Sequence, residues 1–244
     1  TTVGQSGFAT VARHLDYDEN IKPGMYILDT NIGALNFVRK LRNGRQDALM
    51  VTVPVVRTVY DMARKLDGKL LTDSAEYIKV FTDSVIISSL GYTKETVPSI
   101  FIPDTYDFYW TDTPEKLLKR MAKEHDKFWT DERRAKADAI GLTPDQVATL
   151  ASIVDSETTI DSDKPKVAGV YLNRLKQGMK LQADPTVKFA VGDFTLRRIL
   201  FKHLTIDSPY NTYKYEGLPP GPICVPSKAG LDAVLNPDTH DYVF

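Results

Sequence analysis

The chain has 244 residues, 42% of them hydrophobic and 26% charged, with a formal net charge of -1 and a single cysteine. Those values sit near the averages for globular proteins and exclude disordered, collagen-like and disulfide-stapled classes. The balanced charge offers no footprint for nucleic acid, and Cys224 alone builds neither an internal disulfide nor a cysteine-cluster zinc site.

The opening "TTVGQSGFATVARHL" lacks the basic and apolar regions of a signal peptide, and no apolar run approaches the roughly 20 residues that span a bilayer. A soluble chain is expected. "GMYIL" after a Pro-Gly turn reads as a strand, "NIGALNFVRKLRNG" as a helix closed by Gly44, and "LMVTVPVV" as a β-branched strand. "TVYDMARKLDG" reads as a further helix, closed by Gly68. "SIFIPDTYDFYW" reads as a buried strand and turn. Thr113 caps the next helix with Pro114 at its first position, and Leu117, Leu118, Met121 and Phe128 keep helical spacing towards Gly141.

"TPDQ" places Thr143 as N-cap, Pro144 first and Gln146 third, a capping box that fixes the start of a helix running through "ASIVDSET". A second helix spans roughly 164 to 177 and ends at Gly178. "MKLQADPTVKFAVG" reads as extended and "TLRRILF" as a short helix; from Asp207 to Ser227 the chain is turn-rich. Loops of that length in a compact domain are commonly functional. The closing "DYVF" reads as a strand that begins and stops, so the natural chain is expected to continue.

Two carboxylates, Asp155 and Glu157, stand near the end of the capped helix. Residues three, four and seven back share a helical face. Behind Glu157 these are Val154, Ile153 and Leu150; behind Asp155 they are Ser152, Ala151 and Ala148. Desolvation raises a carboxyl pKa, so Glu157 is the better proton donor of the two. Spacing alone still favours a surface carboxylate over a working acid. Other chemistries fail on inspection: His14, His125, His203 and His240 have no metal-ligand spacing, and there is no GxSxG elbow, Walker loop or GxGxxG fingerprint. Acid-base chemistry without metal or nucleotide is the enzyme class that survives.

"ASIVDSET", then "KVAGVYLNRLKQGMKLQADPTV", then "SPYNTYKYEGLPPGPICVPS" together resemble the YceG-like family of endolytic murein transglycosylases. The resemblance is ordered and strong from about residue 147 onward; "IKPGMYIL" and "FIPDTYDFYW" match weaker upstream blocks. It implies an α+β fold, with a small LysM-like N-terminal module over 1–95 followed by a YceG-like catalytic domain over 96–244, truncated at its C-terminal end. It also implies endolytic cleavage of the MurNAc-GlcNAc β-1,4 bond, leaving 1,6-anhydroMurNAc ends, with no cofactor. The family's acid motif is E-x-E-T with the second glutamate catalytic, which falls on Glu157; Asp155 departs from the pattern at the first position. The Glu-Gly pair usual after the module's second strand is replaced by "VPVVRTV".

On the transglycosylase hypothesis, substrate-binding support roles fall by side-chain chemistry on Asn173, Arg174, Gln182, Asp184, Ser208, Tyr210, Asn211 and Tyr213, with simple packing the alternative for Tyr213. Amide, guanidinium and hydroxyl groups suit sugar oxygens, and aromatic rings suit sugar faces. Arg174 pairing with Asp184 is the structural alternative for those two. Implied partners are peptidoglycan glycan strands and the penicillin-binding synthases that make them. The implied location is the extracytoplasmic face of the cytoplasmic membrane, held there by an anchor outside this chain. Two other readings stay open: a noncatalytic glycan-binding protein of the same fold, and a pyridoxal-phosphate lyase, a label the family has carried. The lyase needs a Schiff-base lysine and a phosphate site, and no convincing glycine-rich phosphate loop is present.

Overall fold

The computed structural model describes residues 5–29 and 31–244. The first four residues of the segment read for a signal peptide lie outside the described residues. The architecture is mixed but helix-rich. In chain order the elements begin with α1 (Gln5–His14), α2 (Ala34–Arg42), β1 (Leu49–Val53), α3 (Val59–Leu66), α4 (Ser74–Thr82) and α5 (Ser84–Ser89). A 3-10 turn (Val97–Ile100) leads into β2 (Asp104–Phe108). Then follow α6 (Pro114–Phe128), α7 (Asp131–Ala139), α8 (Pro144–Glu157), α9 (Lys164–Lys176), α10 (Asp184–Val191), α11 (Phe201–Leu204) and α12 (Lys228–Leu235).

β1 and β2 pair antiparallel, Leu49 opposite Phe108 and Val53 opposite Asp104, and form a two-stranded sheet. Val51 and Val53 point from it into a first core with Met62, Leu66, Tyr77, Phe81, Phe101 and Leu117. A second core gathers Phe128, Trp129, Leu150, Ile153, Leu172, Leu181, Leu231 and Val234 around α8. The first core draws on residues from Val51 to Met121 and also on Val225, whose N–H donates to Val56 O at 2.7 Å. That bond ties the late loop back to the end of β1.

Several sequence expectations hold. Thr58 and Asp61 make a capping box at α3, Thr143 and Gln146 make one at α8, and Thr113 caps α6. Others are corrected. "GMYIL" is not a strand: its contacts are local, with Asp47 N–H donating to Met25 O at 2.9 Å and Ile27 N–H donating to the Asp47 carboxylate at 2.6 Å. The helix read from Thr113 towards Gly141 is two helices, because Trp129 breaks the spiral and Thr130 caps a new one through the N–H of Arg133. Most of β2 is exposed, with Phe108 its buried residue; the buried apolar run Ile100, Phe101 and Ile102 precedes the strand.

"ADPTVKFAVG" is not extended but forms α10, with Pro185 in its first turn and Gly192 closing it at φ 75°. Proline early and left-handed glycine late are helix-boundary signals. The β-branched Thr186 and Val187 masked them. The short helix expected over "TLRRILF" begins instead at Phe201, and Arg197 and Arg198 lie on a bend before it. "DYVF" forms no strand.

Candidate active site

The end of α8 decides what each carboxylate can do. From Val147 to Val154 this helix is buried on every side, so the apolar-stripe argument does not separate Asp155 from Glu157. What separates them is the surroundings of each side chain. Asp155 is enclosed: one carboxylate oxygen accepts from the Ser227 N–H at 2.6 Å, and the other accepts from the Ser227 hydroxyl at 2.8 Å. Lys164 Nζ lies 2.9 Å away, and both side chains of this ion pair are 7% exposed. Asp155 therefore joins the end of α8 to the start of α12 and to α9, where Ser227 is the N-cap of α12. A Cβ on Gly230 would stand 2.6 Å from that carboxylate, which explains a glycine there.

Glu157, the last residue of α8, projects outward instead. The Tyr171 hydroxyl, on α9, donates to Glu157 Oε1 at 2.8 Å. Burial of the carboxyl among neighbouring atoms pushes its pKa above the ordinary glutamate value; the Tyr171 hydrogen bond opposes this, and the negative charge of Asp184 adds to it. Burial, and then the adjacent Glu157, push the Tyr171 hydroxyl far up, so Tyr171 stays a donor. Such a carboxyl holds a proton more tightly than a free glutamate and sits where a ligand can reach it.

Asp184 is the second acid of the site, on the first turn of α10. The Tyr213 hydroxyl donates to its Oδ1 at 2.6 Å, and desolvation followed by that bond pushes Tyr213 to about 12. The start of α10 is pinned by Thr212. Its Oγ1 accepts from the Ala183 N–H at 3.0 Å and shares a 2.8 Å bond with the Thr186 hydroxyl, and its carbonyl accepts from Gln182 N–H at 3.1 Å. Gln182 itself is exposed at φ 52°, a left-handed conformation that costs a non-glycine residue energy.

The remaining residues expected at the site divide by where their polar groups go. Asn173 donates to the carbonyls of His240 and Tyr242 at 2.7 and 3.0 Å. Arg174 does not pair with Asp184; its guanidinium donates to the carbonyls of Val243 and Leu181, the latter at 2.6 Å. Both hold backbone, the extended 180–181 segment and the chain's last residues. Asn211 is fully buried and donates to Leu204 O and Ile206 O at 2.9 and 2.8 Å, which fixes the loop. Ser208 accepts from the Tyr210 N–H at 3.3 Å. Tyr210 packs its ring 4.7 Å from that of Phe189 rather than closing over Glu157.

Glu157 and Asp184 stand at the border of two concavities. One, of about 430 Å³, is lined by Val167, Val170, Tyr171, Leu181, Gln182 and Phe244 among others. The other, of about 700 Å³, runs past Val56, Arg57, Lys188, Phe189, Arg197 and Cys224. Two unequal concavities meeting at a carboxyl whose proton affinity is raised suit an extended ligand. Of the residues expected at the site, the structure brings Glu157, Gln182, Asp184 and Tyr213 to it; Arg174 also lines the smaller arm, with its donors turned to backbone.

Sequence reasoning did not single out Tyr171, Thr212, Lys164 or Ser152. Tyr171 falls inside the helix expected over 164 to 177, and a buried tyrosine hydroxyl that needs a partner is the signal that could have found it. Ser152 accepts from the Ile223 N–H at 2.9 Å and so anchors the proline-rich turn to α8, a contact 71 residues apart that no local pattern reveals.

The YceG-like family profile matches residues 2–244. An endolytic murein transglycosylase of Bacillus subtilis (strain 168) is 31% identical over 99% of this chain and 67% of its own length. An endolytic murein transglycosylase of Streptococcus pneumoniae (strain D39) is 26% identical over 97% of this chain, which spans 48% of that relative. The crystal structure of a YceG-like protein from Listeria monocytogenes superposes with a TM-score of 0.71 at 28% identity, covering 98% of this chain and 83% of the other.

Proposed function

The chain belongs to the YceG-like family, and from that premise we propose that it is an endolytic peptidoglycan lytic transglycosylase. It cuts the MurNAc-GlcNAc β-1,4 bond within glycan strands and leaves a 1,6-anhydroMurNAc end. The observation that carries the reading is Glu157: a carboxyl with raised proton affinity, exposed to a groove and held by a tyrosine hydroxyl.

The chemistry follows from that carboxyl. Protonated Glu157 gives its proton to the bridging oxygen as the C1–O4 bond breaks and positive charge builds on the MurNAc ring. The resulting carboxylate takes the proton of the same sugar's C6 hydroxyl, whose oxygen closes on C1. One bond to C1 is exchanged for another and no water is consumed, so a single acid-base residue suffices. Tyr171 steadies the carboxylate in its charged half of the cycle, and Asp184 favours the protonated half. Gln182 lines the groove beside Glu157, and Tyr213 holds the Asp184 carboxylate. One observation favours a second route: Asp184 lines the same two concavities as Glu157, where it is positioned to activate water and make the reaction hydrolytic.

The remaining parts of the reading rest on the family resemblance. They are a LysM-like glycan-gripping role for residues 1–95 beside a catalytic 96–244, synthases as partners, and an anchored position outside the cytoplasmic membrane. The first core draws on residues from both sides of the 95/96 boundary. Among the described residues no helix is long and apolar enough to cross a membrane.

Release of soluble glycan from purified sacculi tests the role of Glu157. Glu157→Gln keeps shape and the Tyr171 contact but holds no transferable proton, so the rate is expected to fall roughly 10²–10⁴-fold, the usual contribution of general acid-base catalysis. Release at the wild-type rate removes Glu157 from the chemistry.

A further inference from the structure

The two arms of the groove differ in charge. The smaller arm carries Val167, Val170, Tyr171, Leu181 and Phe244, and its one arginine, Arg174, has its guanidinium bonded to backbone carbonyls. The larger arm carries four cations, Arg57, Lys188, Arg197 and Arg198, and none of the four is in an ion pair among the described residues. Arg57, Arg197 and Arg198 are exposed and Lys188 is half-buried. The acids facing this arm are fewer than its cations: Asp155 is paired with Lys164, Glu157 and Asp184 sit at the border with the other arm, and exposed Asp193 feels the charge of Lys188 without an ion pair to it. In a chain whose formal charge is -1, four unpaired cations along one cleft are a local excess.

The cations are also supported. Arg57 lies over the Phe194 ring at 4.2 Å, and Phe194 continues through Phe189, ring centroids 6.2 Å apart, to Tyr210. Stacking fixes the guanidinium plane and leaves its N–H edge for a planar anion. The four side chains come from three separate segments, the loop after β1, α10 and the bend at 197–198, and together line one cleft that can meet more than one anion.

We infer that this cationic arm receives the carboxylates of the peptide stem attached to the sugar at the cleavage point. The inference rests on the glycan-cleaving reading of Glu157. A stem is joined to the lactyl group of the MurNAc residue whose C1 reacts, so it leaves the strand beside Glu157, where the two arms meet. Free carboxylates on that stem match Arg57, Arg197 and Arg198, whereas the other arm presents an apolar and aromatic wall suited to sugar. The cleft then reads strand and stem together, and prefers strands that keep their stems.

The test measures binding of soluble glycan strands to Glu157→Gln protein, so that chemistry does not intervene, using stem-bearing strands and the same strands stripped of stems by an amidase. Stem-bearing strands are expected to bind roughly five- to tenfold tighter, a preference that shrinks with added salt and falls towards one in the added Arg197→Gln/Arg198→Gln pair. Equal Kd values for the two strands overturn the inference. So does a preference that persists in the double variant, or one that appears only for strands ending in a lipid-linked pyrophosphate, which would assign the cations to phosphate. Anhydro-end formation by protein with Glu157 intact is scored separately: its absence alongside a stem preference overturns the transglycosylase reading, and its presence with no preference overturns only the stem subsite.

Discussion

At the residue scale, Glu157 is held between opposing influences, and each can be removed singly. Burial and the Asp184 charge raise its pKa while the Tyr171 hydroxyl lowers it. If the protonated form is the catalyst, the alkaline limb of the kcat/KM profile reports this pKa in the free enzyme. Asp184→Asn removes a like charge and is expected to move that limb to lower pH; Tyr171→Phe removes a bond to the charged form and is expected to move it higher. Limbs that shift together, or not at all, contradict the assignment. The same residue makes a stability prediction. A carboxyl whose folded pKa is raised contributes its full stability below the unfolded value of about 4.3 and loses it as pH rises through the folded value. Glu157→Gln is therefore expected to match wild type in Tm near pH 4 and exceed it at neutral pH. A gain at acid pH, or none at neutral pH, would show that Glu157 is not under desolvation strain.

At the scale of elements, α8 carries the site and α12 holds α8 in place through Asp155. Removing one partner of a buried ion pair leaves the other charged and unsatisfied, at a cost of about 3–5 kcal/mol. Lys164 keeps Asp161 at 2.7 Å, so Asp155→Ala is expected to lose less than that in denaturant unfolding, about 1–3 kcal/mol, the cost of leaving the Ser227 N–H without its acceptor; a loss below about 0.5 kcal/mol would show that the tie is dispensable. Much of this element was legible beforehand. Thr143, Pro144 and Gln146 announce the start of α8, and the motif around Glu157 singles it out as the proposed acid. Its neighbours were legible only in part. The stripe behind Glu157 reads as apolar and that behind Asp155 as semi-polar, yet Ser152 is as buried as Leu150 because it bonds the turn at Ile223. Contacts 71 or 72 residues apart leave no period in the sequence. α10 was misread for the opposite reason: its boundary residues were visible, but β-branched Thr186 and Val187 outweighed them. Asn173 and Asn211 carry the right chemistry for sugar, and only the fold reveals that their amides are committed to backbone carbonyls.

At the scale of the whole molecule, the groove is built by both cores. Val56 and Arg57 reach it from the end of β1, while Glu157 and Asp184 reach it from α8 and α10, and the Val225–Val56 bond fastens one side to the other. The acid therefore faces a surface that neither core forms alone, with a concavity on each side of Glu157. That geometry suits cleavage within a strand. Whether the sugar's own hydroxyl or water completes the reaction is written in the new chain end, because the two routes differ by one water in mass. The decisive measurement is mass spectrometry of the muropeptides released from purified sacculi by wild type and by Glu157→Gln. The account predicts 1,6-anhydroMurNAc ends from wild type and none from the variant. Reducing MurNAc ends from wild type would contradict it and give Asp184 the role of water base, and anhydro ends from the variant would take the proton transfer away from Glu157.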